Sequence, residues 1–103
     1  MEKITQLKTY LINAPEDPFL NHALALEYIK TGDEEAAKQL FTGILTRDPL
    51  YVGSYYHLAA LFERTGDAET AKTWYESGMK AAKKAGDSHA FNELQAAYEN
   101  LID

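Results

Sequence analysis

The chain repeats itself at a constant interval, and this periodicity constrains its fold more than any other feature. The tripeptide Thr31-Gly32-Asp33 recurs as Thr65-Gly66-Asp67, a shift of 66 − 32 = 34 positions. The same shift pairs Leu24-Ala25 with Leu58-Ala59, Tyr28 with Phe62, Ala37-Lys38 with Ala71-Lys72, Phe41 with Tyr75 and Pro15 with Pro49. Because large, small and aromatic residues keep their positions, the period indicates a structural unit that stacks on copies of itself.

Each repeat has the pattern of a helical hairpin. In the first repeat, Leu24, Tyr28 and Ile29 recur at helical spacing before Gly32-Asp33 interrupts them. Glycine can close a helix in the left-handed conformation, and aspartate can cap the helix that follows. The apolar stripe then resumes at Ala36, Ala37, Leu40, Phe41, Ile44 and Leu45. No segment alternates as a strand does, so the pattern predicts an all-α chain.

The two ends of the chain each supply one further helix. Residues 3–13 precede Pro15 as a second helix precedes Pro49, so we expect them to form an N-terminal half-repeat. The second repeat has Lys83 in place of its closing proline, and its last helix is therefore predicted to continue to Gly86. Residues 88–102 have one apolar face and one polar face, which is typical of a capping helix. With repeat 1 at 18–51 and repeat 2 at 52–85, we expect six helices that form one complete domain over 1–103.

With these residues in register, the sequence resembles the tetratricopeptide repeat family. The matching positions are Leu24, Ala25, Tyr28, Ala37, Phe41 and Pro49 in the first repeat and Tyr55, Leu58, Ala59, Phe62, Ala71 and Tyr75 in the second. The departures are Asn21 in the first aromatic position and Lys83 in the proline position. The resemblance implies a right-handed superhelical stack of about six antiparallel helices, in which small residues let paired helices approach closely.

Composition and spacing argue against several classes of function. A formal net charge of −6 repels a phosphate backbone, so we expect no nucleic-acid binding. No apolar run approaches the ~20 residues of a membrane helix, and the absence of cysteine suits a cytoplasmic protein. His22, His57 and His89 have no chelating spacing, so no metal site is predicted. No phosphate loop or paired nucleophile is present, and we therefore expect neither an enzyme nor a cofactor.

The resemblance also implies where a partner binds, because first helices of the hairpins line a concave groove in that family. The predicted groove residues are Phe19, His22, Leu26, Ile29 and Lys30 in the first repeat and Tyr56, His57, Glu63 and Arg64 in the second. Family members that bind chaperone tails carry a carboxylate clamp in slots held here by His22, Leu26 and His57, so that activity is not expected. The alternative is that the end helices cover this face and make it ordinary core.

The predicted function is therefore that of a protein-interaction module, or adaptor, that accepts a peptide or helix from a partner protein of unspecified identity. A homodimer held together by the apolar groove residues is one alternative, and an accessory subunit of an enzyme encoded elsewhere is another.

Gly43 and Gly78 fall inside predicted helices, where glycine destabilises the helix by ~1 kcal/mol relative to alanine. We interpret both as places of close contact between helices.

Overall fold

The computed structural model describes residues 2–103, and in that range it contains six α-helices and no strand. The helices are α1 (Glu2–Asn13), α2 (Pro18–Lys30), α3 (Glu34–Arg47), α4 (Gly53–Arg64), α5 (Ala68–Ala85) and α6 (Ser88–Ile102). This confirms the all-α prediction. Helix α5 continues without interruption through Lys83, as the missing proline predicts.

Three glycine–aspartate pairs end one helix and begin the next. Gly32, Gly66 and Gly86 have φ angles of +85°, +90° and +72°, the left-handed conformation that closes a helix. The aspartate that follows each glycine has two roles. At the first turn, the backbone N–H of Asp33 donates to the Tyr28 carbonyl at 2.9 Å, while its carboxylate accepts the N–H of Ala36 at 3.2 Å. Asp67 and Asp87 repeat both contacts, so the same turn joins three pairs of helices.

The departure at Asn21 preserves a hydrogen bond. Asn21 is only 5% exposed, and its side-chain amide donates to the backbone carbonyls of Pro15 at 3.1 Å and Asp17 at 2.9 Å. Tyr55 holds the equivalent position of the second repeat, and its hydroxyl donates to the carbonyl of Pro49 at 2.6 Å. Since a buried polar side chain without a partner is unfavourable, these hydrogen bonds allow either Asn21 or Tyr55 to be buried at this position.

The helices form two compact units. In the N-terminal unit, which extends to Asp48, α2 packs against both α1 and α3. Its apolar core consists of Ile4, Leu24, Ala25, Ala37, Phe41, Ile44 and Leu45. In the C-terminal unit, Pro49–Asp103, α5 packs against both α4 and α6, whereas α4 and α6 touch each other far less. That core consists of Tyr55, Leu58, Ala59, Leu61, Ala71, Tyr75, Ala81, Ala82 and Leu94.

The two helical glycines have different surroundings. A Cβ atom added to Gly78 would lie 2.7 Å from Cβ of Tyr55 and 3.1 Å from Cδ1 of Leu94, so α5 approaches both neighbours closely there. A Cβ added to Gly43 meets only the guanidinium of Arg47 on its own helix, at 3.5 Å or more, among the residues that the structure describes. The prediction of a close helix contact is therefore confirmed at Gly78 and wrong at Gly43.

Alanine substitution at these two glycines should change stability in opposite directions. We expect Gly78→Ala to lower the free energy of unfolding by roughly 1–3 kcal/mol, because the added methyl group overpacks the contact with Tyr55. Gly43→Ala should raise it by up to about 1 kcal/mol, because only helix propensity changes. Urea unfolding followed by circular dichroism measures both values. Equal destabilisation by the two substitutions would contradict this account.

Candidate functional site

An open pocket of about 650 Å³ lies between α4 and α6 of the C-terminal unit. It is lined by Tyr56, Ala60, Glu63 and Arg64 from α4, by Tyr75 from α5, and by Glu93, Ala96, Ala97 and Asn100 from α6. Because α4 and α6 both pack on α5 and hardly touch each other, the space between them stays open. Tyr75 is only 2% exposed, so α5 contributes the base of the pocket and little of its accessible surface.

Helical spacing gathers the lining residues on two facing helix surfaces. The α4 residues lie at intervals of four, three and one, and the α6 residues at intervals of three, one and three, so each set occupies one face of its helix. The facing positions Ala60, Ala96 and Ala97 have the shortest side chains of the set. Small side chains on both walls leave the volume between the helices unfilled.

A buried phenol positions one of the carboxylates of the pocket. The Tyr75 hydroxyl donates to Oε1 of Glu63 at 3.0 Å. Burial raises the pKa of Tyr75 well above its usual value, and the hydrogen bond to Glu63 raises it further. The phenol therefore stays a neutral donor at physiological pH and gives the carboxylate a buried residue as its hydrogen-bond partner. The Tyr56 ring packs edge-on against Tyr75, with ring centroids 6.3 Å apart.

The nine predicted groove residues belong to two helices, one in each compact unit. Tyr56, Glu63 and Arg64 line the pocket together, while His57 lies on α4, half-buried and outside the lining. The other five predicted residues, Phe19, His22, Leu26, Ile29 and Lys30, lie on α2 in the N-terminal unit. His22 there packs edge-on against the ring of Phe41, with centroids 5.3 Å apart.

None of the nine residues belongs to the buried core. Phe19 is 69% exposed and Tyr56 is 41% exposed, and the other seven are exposed or half-buried. All nine side chains therefore remain at least partly accessible. The part that each residue plays in binding stays a prediction.

Sequence reasoning missed the wall that α6 supplies. Glu93 and Asn100 belong to the polar face predicted for this helix, and both line the pocket with Ala96 and Ala97. This polar face is exposed, as its pattern indicates, and α4 faces part of it across the open space. The available signal was the helical spacing of two alanines flanked by Glu93 and Asn100.

Across residues 2–103, no group of three or more His, Cys, Asp or Glu side chains is arranged to hold a metal ion. Within that range, too, none of the helices has the length and hydropathy that crossing a bilayer requires.

Comparison with known proteins gives a consistent family and fold. The family model described as "Tetratricopeptide repeat" matches residues 20–49 and 52–84, more than half of the chain. The TPR repeat-containing protein PA0015 of Pseudomonas aeruginosa is 26% identical over 98 residues, which cover 95% of this chain and 93% of that protein. The crystal structure of a tetratricopeptide repeat domain protein from Salinibacter ruber superposes with a TM-score of 0.80 at 37% identity, covering 84% of this chain and 96% of that one.

A further structural neighbour was solved with a peptide. The first TPR domain of Spaghetti (RPAP3), bound to the HSP90 peptide SRMEEVD, superposes with a TM-score of 0.75 at 20% identity. The match covers 97% of this chain and 78% of that one. At this level of identity the likeness is one of fold alone.

The stability contribution of His57 should depend on pH. Burial lowers the pKa of His57 below its ordinary value of 6.5, and the nearby charge of Glu93 opposes this shift only in part. The unfolded chain therefore binds more protons at this residue as the pH falls below 6.5, which favours unfolding. We expect the wild type to lose stability relative to His57→Gln between about pH 7.5 and about pH 5.5, measured by urea unfolding. A difference that stays constant with pH would contradict this assignment.

Proposed function

The chain belongs to the tetratricopeptide repeat family, and from this premise we propose that it is a protein-interaction module that holds a peptide or helix of a partner protein in the pocket between α4 and α6. The proposal assigns it binding and no catalysis. It concerns the C-terminal unit, which contains every residue that lines the pocket.

The observation that supports this proposal most strongly is the open pocket with an exposed aromatic anchor. Its volume of about 650 Å³ lies within the range of roughly 300–1,000 Å³ that is usual for ligand sites. Tyr56 presents an exposed ring beside the apolar surface of Ala60, Ala96 and Ala97. An aromatic anchor on small apolar residues, surrounded by polar groups such as Glu63 and Asn100, is the composition of a binding hot spot.

The peptide-bound neighbour supports the same type of activity. It is a protein of this fold with a bound peptide. We do not propose that this chain binds the same peptide, because the positions of the carboxylate clamp are occupied here by His22, Leu26 and His57. We also propose α2 as a partner-contacting surface of the N-terminal unit, with exposed Phe19 as its main apolar residue and Leu26, Ile29, His22 and Lys30 around it.

Replacing Tyr56 should weaken peptide binding, whereas replacing another exposed tyrosine should not. Peptides are selected from a random phage-displayed library on the immobilised protein, and their dissociation constants are measured by fluorescence anisotropy. We expect Tyr56→Ala to weaken binding at least about tenfold, because truncating a hot-spot aromatic residue costs roughly 2 kcal/mol or more. Tyr10→Ala is the matched control, since Tyr10 is 58% exposed on α1 and lies outside the pocket.

Two results would contradict the proposal. One is a library that yields no peptide above the background of uncoated resin. The other is a stable dimer, seen by light scattering at micromolar concentration, that dissociates in Tyr56→Ala. In that case the pocket is an assembly surface between two copies of the chain.

A further inference from the structure

We propose that the pocket between α4 and α6 selects a cationic side chain, lysine or arginine, from a basic segment of the partner. This inference rests on the proposed function and adds the chemistry of the ligand.

The pocket has an excess of negative charge. Glu63 and Glu93 line it from opposite walls, and Arg64 is the one cation among the lining residues that the structure describes. Helix α6 contains no lysine or arginine. The lysines of the C-terminal unit, Lys72, Lys80, Lys83 and Lys84, all belong to α5 and are not among the described lining residues. The local field therefore favours a positive ligand, and the chain's net charge of −6 acts in the same direction.

The apolar surface suits a long cationic side chain. Lysine and arginine pack their aliphatic stems along apolar surface while the charged group reaches a polar partner. The alanines Ala60, Ala96 and Ala97 provide such a surface, with a carboxylate on each wall. The exposed Tyr56 ring adds a face on which a cation binds favourably.

One of the two carboxylates is held in place before a ligand arrives. Oε1 of Glu63 accepts the Tyr75 hydroxyl at 3.0 Å, and Tyr75 is itself buried. A carboxylate has about four acceptor positions, so one bond to Tyr75 leaves capacity for a ligand. A fixed acceptor loses less conformational entropy on binding than a mobile one, which increases affinity.

Arg64 favours the opposite type of ligand, an acidic segment. An acidic segment would meet Arg64 but would also face the carboxylates of Glu63 and Glu93. Repulsion from these two carboxylates disfavours an acidic segment. For a basic segment, repulsion from Arg64 restricts the orientation in which it binds.

The test compares two glutamates of the same helix. Glu93 and Glu99 are both exposed on α6, but only Glu93 lines the pocket. Library peptides whose binding depends on Tyr56 are sequenced, and we expect enrichment of lysine or arginine over aspartate or glutamate. For a selected lysine peptide, Glu93→Gln should weaken binding by about three- to tenfold, whereas Glu99→Gln should leave it within about twofold of wild type. Both variants remove one negative charge, and circular dichroism checks that both fold.

The outcomes separate this inference from the proposed function. Selected peptides that depend on Tyr56 but are enriched in aspartate or glutamate would overturn the cationic preference and leave the binding pocket established. Equal weakening by Glu93→Gln and Glu99→Gln would also overturn it, since the effect would then come from net charge and not from the pocket. If no peptide depends on Tyr56, the proposed function itself fails.

Discussion

The close approach of α5 to its neighbours at Gly78 is the constraint on which the pocket depends. Tyr55 of α4 and Leu94 of α6 both lie against the position where an added Cβ atom would stand. Because α4 and α6 are each fixed to α5 and hardly touch each other, α5 sets the distance between the two walls. The pocket therefore results from the packing of the core. Its width depends on the contact at Gly78, although Gly78 is not among the residues that line it.

Most of the fold could be predicted from the sequence because its signals are local. The constant repeat interval, the three glycine–aspartate pairs and the missing proline at Lys83 predict the helices and their turns. The α6 wall of the pocket could not be predicted in the same way. Glu93 and Asn100 are polar residues on an exposed helix face, and such residues look the same whether they face bulk solvent or another helix across an open space.

The different roles of Gly43 and Gly78 could have been predicted by keeping strict register. The shift that superimposes the two repeats aligns Gly78 with Ile44, not with Gly43, and aligns Tyr55 with Asn21. The first repeat thus has a small residue at one position and a large one at the other, and the second repeat has the reverse. Tyr55 occupies the space that a side chain at Gly78 would need. The larger side chain of the pair is therefore on the second helix of the first repeat and on the first helix of the second repeat.

This exchange restricts how the two repeats can diverge. To reach the arrangement of the first repeat, the second would have to gain a side chain at Gly78, which Tyr55 blocks, or first lose the Tyr55 ring and leave a cavity. Neither single step is neutral, since the first overpacks α5 against α4 and the second also removes the hydrogen bond to the Pro49 carbonyl. Substitutions at positions 55 and 78 should therefore be energetically coupled, so that the effect of one depends on the residue at the other.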